Sequence, residues 1–317
     1  MPHDHHHHHH HGGEGRLSLA IAVNLLLTVA QIIGGIVSGS LAMIADALHN
    51  FSDAMSLVIA TVARRIAKRP ADARMSFGYA RAEVVAALIN YTTLIVIGLY
   101  LLYEAGMRFL APEPVAGWMV VIIAGLALVI DLVTAALTYS MAKDSVNIRA
   151  AFMHNVADAL GSVAVIFAGT VIILFGWTWV DPAVTVLIAG YILWMAFSEI
   201  GSVIRILMLG APDGLDADAV LHRIQQTNGV QGVHNAHIWL IDERKVGLLA
   251  HVVVSEGHWG QADAIKADLK ARLHTEFGID HMTIEVECTR HSCVDAPLIG
   301  AGGHQHNPIN LVAHHGK

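Results

Sequence analysis

Ser40-Leu41-Ala42-Met43-Ile44-Ala45-Asp46-Ala47-Leu48-His49-Asn50-Phe51-Ser52-Asp53 reads as the start of an apolar helix that carries ionisable side chains into its own interior. A charged or titratable group inside a membrane span is costly and therefore marks function by default. His49 and Asp53 are four residues apart, so at about 3.6 residues per turn they share one helix face, one turn apart. The same spacing recurs far downstream, where His154 and Asp158 lie in a second apolar stretch.

Working outward, six stretches are long enough to cross a bilayer, which takes about 20 mostly apolar residues as a helix. They lie near 17–38, 41–63, 83–110, 116–141, 147–175 and 181–208. Ser38-Gly39-Ser40 separates the first two, and Gly176 to Val180 the last two, so those neighbours run antiparallel. Composition agrees: 55% of the 317 residues are hydrophobic and 14% charged, against about 25% charged in soluble domains, and mean hydropathy is +0.54. A net charge of −7 without a basic, aromatic-laced patch gives no reason to expect nucleic acid.

Positive charge sets the orientation. Arg64, Arg65, Lys68, Arg69, Arg74 and Arg81 follow the second span, Lys143 and Arg149 separate the fourth from the fifth, and Arg205 closes the sixth. Arg108 alone faces the other way, so both termini are expected in the cytosol. His5 to His11 form a run that fits either an expression tag or a metal-collecting segment.

Past Gly210-Ala211-Pro212-Asp213-Gly214 the chain becomes polar. A helix is expected over 216–228, strands over 233–242 and 246–255, a helix over 260–276 and a strand over 281–288. This αββαβ order predicts a small ferredoxin-like α+β domain, a sheet with helices on one face. The expected organisation is a His-rich tail (1–15), a six-helix transmembrane domain (16–209), a cytosolic α+β domain (210–293) and a flexible His-containing tail (294–317). Cys288 and Cys293 sit too close to one end for a disulfide framework; with His291 between them they read as a soft site or as free thiols.

Two imidazoles and two carboxylates at one point suit Zn²⁺, which takes tetrahedral nitrogen and oxygen ligands. The carboxylates also cancel its charge, which matters away from water. Co²⁺ and Cd²⁺ suit the same set, whereas Mn²⁺ and Mg²⁺ favour oxygen alone. A lone polar residue in a span is ordinarily an interhelical hydrogen-bond partner. Asn24, Glu104, Asp131 and Glu199 are such cases, while Asp46, three residues before His49, is a candidate for orienting an imidazole. Four protein ligands leave no open position for an activated water, so a metalloenzyme is disfavoured, and no P-loop points to ATP. A metal-gated channel or membrane metal sensor would use the same ligands.

The stretch 40–53, together with Lys68-Arg69-Pro70-Ala71-Asp72, Phe77-Gly78-Tyr79-Ala80-Arg81-Ala82-Glu83 and Val233-His234-Asn235-Ala236-His237-Ile238-Trp239, resembles the cation diffusion facilitator family, in particular its bacterial cobalt–zinc–cadmium resistance exporters. The resemblance spans about residues 16–288. It implies a homodimer in the bacterial inner membrane, contacting through its cytosolic domains and exchanging cytosolic Zn²⁺ for protons. It assigns transport to His49, Asp53, His154 and Asp158. Protons and metal would compete for those atoms, since imidazole titrates near pH ~6.5. In the cytosolic domain His234 and His251 match positions that bind metal in relatives, with Glu285 and Glu287 near the expected last ligands of a regulatory site. The loop between spans two and three departs from the pattern: Met75 and Tyr79 stand where some relatives have histidines, so a metal site there is not expected.

Overall fold

A computed structural model of the chain describes the backbone of residues 11–139, 146–293 and 296–300, and side chains over 25–136, 152–153, 155–293 and 296–300. The chain divides into two compact units, one made of residues 1–69 and 85–201 and the other of 70–84 and 202–317. The first is helical: α1 (His11–Ser38), α2 (Leu41–Ala67), α3 (Ala82–Leu110), α4 (Gly117–Tyr139), α5 (Val146–Phe175) and α6 (Val180–Leu207). α3, α4, α5 and α6 hold stretches long and apolar enough to cross a membrane, and α1 carries a shorter apolar stretch, Leu25–Ser38. α2 is less apolar because it holds Asp46, His49, Asp53, Arg64 and Arg65.

Small residues let these helices approach closely, the usual basis of packing in lipid, where apolar burial alone drives little. Ala42 and Met43 of α2 meet Val120 and Ala124 of α4, Val165 and Ala168 of α5, and Val180 and Val184 of α6. A Cβ on Gly35 of α1 would lie 2.6 Å from Ile44 of α2. Outward, Leu26, Ile36, Leu57, Val96, Ile122, Phe167 and Phe197 are exposed, the surface a lipid-facing bundle presents. Trp177 and Trp179 stack in the turn between α5 and α6, with ring centroids 6.0 Å apart, as interfacial aromatics do.

One buried knot fixes the start of the site-bearing helix. Ser40 caps α2 by accepting from the Met43 N–H and donates to Asp181 Oδ1 at 2.5 Å. Asp181, at the start of α6, also accepts from the Leu41 N–H at 2.7 Å, a carboxylate placed where a helix N-terminus favours one. Arg108 of α3 lies 3.8 Å from the same carboxylate and donates to the Gly39 carbonyl. Gly39 has φ +74°, and a Cβ there would meet the Pro114 carbonyl oxygen at 2.6 Å, so only glycine closes this turn. Glu104, without a partner evident from sequence, lies 3.7 Å from Arg108. Asp181→Ala is expected to leave Arg108 and the α2 N-terminus short of their acceptor, at a cost of about 3–5 kcal/mol. Thermal unfolding in detergent would register this as a clear drop in melting temperature; an unchanged midpoint would remove Asp181 from the fold's supports.

The second unit follows the order α7 (Ala217–Gln225), β1 (Val230–Leu240), β2 (Val246–Val254), a 3-10 turn (Glu256–Gln261), α8 (Ala262–Phe277) and β3 (Ile279–Cys288). β1 and β2 form an antiparallel hairpin, and β3 runs parallel to β2 after the α8 crossover. Alternation directs Leu248, Ala250, Val252 and Val254 toward Val220, Leu221 and Ile224 of α7 and Ile265, Leu269 and Leu273 of α8. Asp216 caps α7 by accepting from the Asp218 and Ala219 N–H groups, an arrangement worth about 1 kcal/mol. The αββαβ expectation holds, with helices on one face. Residues 296–300 depart from the expected flexible tail: the Asn235 and Ala236 N–H groups donate to the Pro297 and Leu298 carbonyls at 2.9 and 3.0 Å. β1 has a register irregularity between His234 and His237, with Asn235 at φ +49°, and this bulge frees the groups that take up the segment.

In the same unit, Arg81 donates to the Leu240 and Ile241 carbonyls, and Phe77 meets His281 edge-on at 5.9 Å. Asp72 accepts from Tyr79 Oη at 2.8 Å and from the Arg74 and Met75 N–H groups. The Tyr79 hydroxyl first, and then those two amides, hold its carboxyl below the usual range. Asp72 here ties a turn together.

Candidate metal centres

His49 and Asp53 of α2 and Asp158 of α5 come together where the two helices pack. His49 Nε2 is 3.5 Å from Asp53 Oδ2 and 3.8 Å from Asp158 Oδ1, and one donor atom from each of the three lies within 4.8 Å of the others. His49 and Asp158 are buried, each 8% exposed. The His49 ring also meets Tyr191 of α6 edge-on at 6.4 Å. His154 lies in α5, one turn before Asp158 in sequence; its side chain falls outside the described residues.

Asp46 lies beside this group rather than in it. It accepts from Gln31 Nε2 of α1 at 2.8 Å, and Gln31 Oε1 in turn faces Asn50 Nδ2 at 3.5 Å. Asp46 is therefore held by an amide of α1. Gly161 of α5 leaves room for this carboxylate: a Cβ there would lie 2.8 Å from Asp46 Oδ1. Asp131 of α4 accepts from Ser162 of α5 at 3.2 Å. Buried polar groups of α1, α2, α4 and α5 thus surround the cluster.

A second cluster sits on the sheet face opposite the helices. His234 on β1 pairs in register with His251 on β2, and Glu287 projects from β3. His251 Nδ1 is 2.7 Å from Glu287 Oε1 and His234 Nε2 is 3.2 Å from Glu287 Oε2. Cys293, just beyond β3, brings its Sγ to 3.5 Å from Glu287 Oε1. The four donor atoms lie within 4.8 Å of one another. Burial raises the affinity of Glu287 for a proton, yet hydrogen bonds from His251 and the Cys293 N–H, with His234 and the thiol nearby, hold its carboxyl below the ordinary range. Burial, and then the Glu287 charge, push the Cys293 thiol up.

Of the four residues expected here, His234, His251 and Glu287 converge, and Glu285 does not join them. Glu285 lies on the solvent side of the His251 ring, 3.3 Å from Nε2. Cys293 takes the place expected of it, whereas Cys288 pairs with His291 at 3.2 Å. Both cysteines are free.

An imidazole–carboxylate cluster within a bundle of apolar helices, followed by a small α+β domain, defines a multi-pass membrane protein with a candidate metal centre in its helical part. The chain belongs to the cation efflux family, the cation diffusion facilitators: residues 17–208 match the cation efflux transmembrane domain and residues 212–288 the cation efflux protein cytoplasmic domain. These are transporters, not enzymes. The chain is 37% identical over 83% of its length to 85% of a cadmium, cobalt and zinc/H(+)-K(+) antiporter of Bacillus velezensis. It is also 37% identical over 90% of its length to 89% of the metal cation efflux system protein CzcD of Cupriavidus metallidurans. A solved metal-bound C-terminal domain of the CzcD transporter from Cuprividus metallidurans is similar at 33% identity, covering 23% of this chain and 99% of that one with a TM-score of 0.22.

Proposed function

We propose that the chain exports divalent metal ions, Zn²⁺ foremost and Cd²⁺ or Co²⁺ with it, in exchange for protons and by alternating access. The observation that carries this reading is the meeting of His49, Asp53 and Asp158 in the buried interior of the helical unit. We assign His154 as the fourth donor from its spacing to Asp158. Two carboxylates and two imidazoles form a neutral, closed tetrahedral complex with a dication, suited to an ion that must leave water without being hydrolysed or reacted upon. The same atoms take protons when the ion leaves, so metal and proton occupancy exclude each other. Similarity to an antiporter that uses H⁺ supports that coupling.

The charge pattern puts both termini in the cytosol, and membership of the family points to an inner membrane and to a homodimer contacting through the α+β unit. We read the cytosolic cluster of His234, His251 and Glu287 as a regulatory metal site, which would report cytosolic ion to the carrier.

The test is flux in reconstituted vesicles. Zn²⁺ uptake should saturate, alkalinise the lumen as protons leave it, and rise several-fold when the lumen starts more acidic than the outside. Uptake indifferent to that gradient would instead make the protein a metal-gated channel.

A further inference from the structure

We propose that the cytosolic site, resting on the regulatory reading above, is a thiolate site: Cys293 is its fourth ligand, and Glu285 is a positioning residue that orients His251. The geometry favours this over a simple ion pair. Zn–N and Zn–S bonds of about 2.0–2.1 and 2.3 Å place tetrahedral donors roughly 3.3–3.7 Å apart. His234 Nε2 to Glu287 Oε2 is 3.2 Å, Cys293 Sγ to Glu287 Oε1 is 3.5 Å and Cys293 Sγ to His251 Nδ1 is 3.9 Å. The 2.7 Å contact between His251 and Glu287 would open, and the 3.9 Å one between Cys293 and His251 would close slightly, around an ion. His234 is 8% exposed, and its Nε2, despite the nearby carboxylate, has no hydrogen-bond partner. A buried ring nitrogen 3.2 Å from a carboxylate oxygen that it does not hydrogen-bond, with a thiol sulfur within 4.8 Å, leaves a place that an ion would complete.

Charge and donor type point to the class of ion. With Glu287 ionised and Cys293 as thiolate, a bound dication is neutral, as a half-buried site requires. A thiolate among two imidazoles and one carboxylate selects the thiophilic Zn²⁺ and Cd²⁺ over Mn²⁺ or Mg²⁺. Glu285 lies on the far side of the His251 ring, 3.3 Å from Nε2, so that a proton on Nε2 leaves Nδ1 as the donor toward the ion, a carboxylate–histidine–metal arrangement.

The four ligands come from β1, β2, β3 and the segment after β3. An ion here therefore pins residue 293 to all three strands, a few residues before 296–300 attach to the β1 bulge beside His234.

The experiment titrates Cd²⁺ into the full chain in detergent, in an Asp53→Ala/Asp158→Ala background that disables the transport site, and follows thiolate-to-metal charge-transfer absorbance together with bound Cd²⁺. One ion per chain with a charge-transfer band is expected. Cys293→Ser should abolish the band and Cys288→Ser keep it. Glu285→Gln should keep the band while weakening affinity by about 10–100-fold. Bound Cd²⁺ without a band, a band that survives Cys293→Ser, or one lost with Cys288→Ser would overturn the thiolate assignment and leave the regulatory site standing. An unchanged affinity in Glu285→Gln would remove its positioning role. Absence of any bound ion in this background would overturn both readings.

Discussion

Alanine at Asp53 or at Asp158 is expected to reduce Zn²⁺ flux in vesicles to background, at least 100-fold below the parent, a loss of about 2.7 kcal/mol or more at RT ln 10 of about 1.36 kcal/mol per decade. Both carboxylates stand within 4 Å of His49 Nε2, at 3.5 and 3.8 Å. Removing either leaves a dication with one negative ligand instead of two in a low-dielectric span. The protein should remain folded, because neither carboxylate belongs to the Asp181 knot or to the apolar clusters of the helices. Flux near the parent's in either variant would take that residue out of the transport site.

Gly161→Val should be nearly as damaging without touching a ligand. A Cβ at 161 would stand 2.8 Å from Asp46 Oδ1, and Asp46 has little room to retreat: it is 3% exposed and tied to Gln31 at 2.8 Å. The strain is relieved by moving α5 away from α2, which separates Asp158 from His49. Displacements of about 1 Å cost on the order of a hundredfold where geometry governs rate. A fall in metal affinity and flux of tenfold or more is expected, with Gly161→Ala intermediate. Unaltered affinity in the valine variant would mean that the helices do not hold the site by this contact.

What could be seen in the sequence was what period and composition encode. The His-x-x-x-Asp spacing put His49 and Asp53 on one face, and apolar length gave the limits of α3 to α6 to within two residues, while α1 and α2 run on into polar sequence, from His11 and to Ala67. The resemblance pointed to His234, His251, Glu285 and Glu287, but nothing in the strand pattern could separate Glu285 from Glu287, since i and i+2 share a face by construction. Which of them turns inward depends on the irregular segment after β3, and Cys293 arrives there by a backbone path that has no period to read. Asp181 and Ser40 are similar: they lie in adjoining turns of the bundle but far apart in sequence, with no local pattern to join them. Asp46 was placed near His49 by helical arithmetic, yet the amide that holds it belongs to α1, and only packing could show that.

The sheet of the second unit has two borders, and the chain treats them differently. Along β1 the segment 296–300 occupies main-chain groups that would otherwise be offered to any passing strand. β3, the other border in the order β1-β2-β3, instead presents Asp280, His281, Thr283 and Glu285 to solvent, charged and polar side chains that discourage strand-to-strand adhesion. A sheet defended in these two ways resists fusing edge to edge with its neighbours, even when anchoring in one membrane plane crowds many copies together.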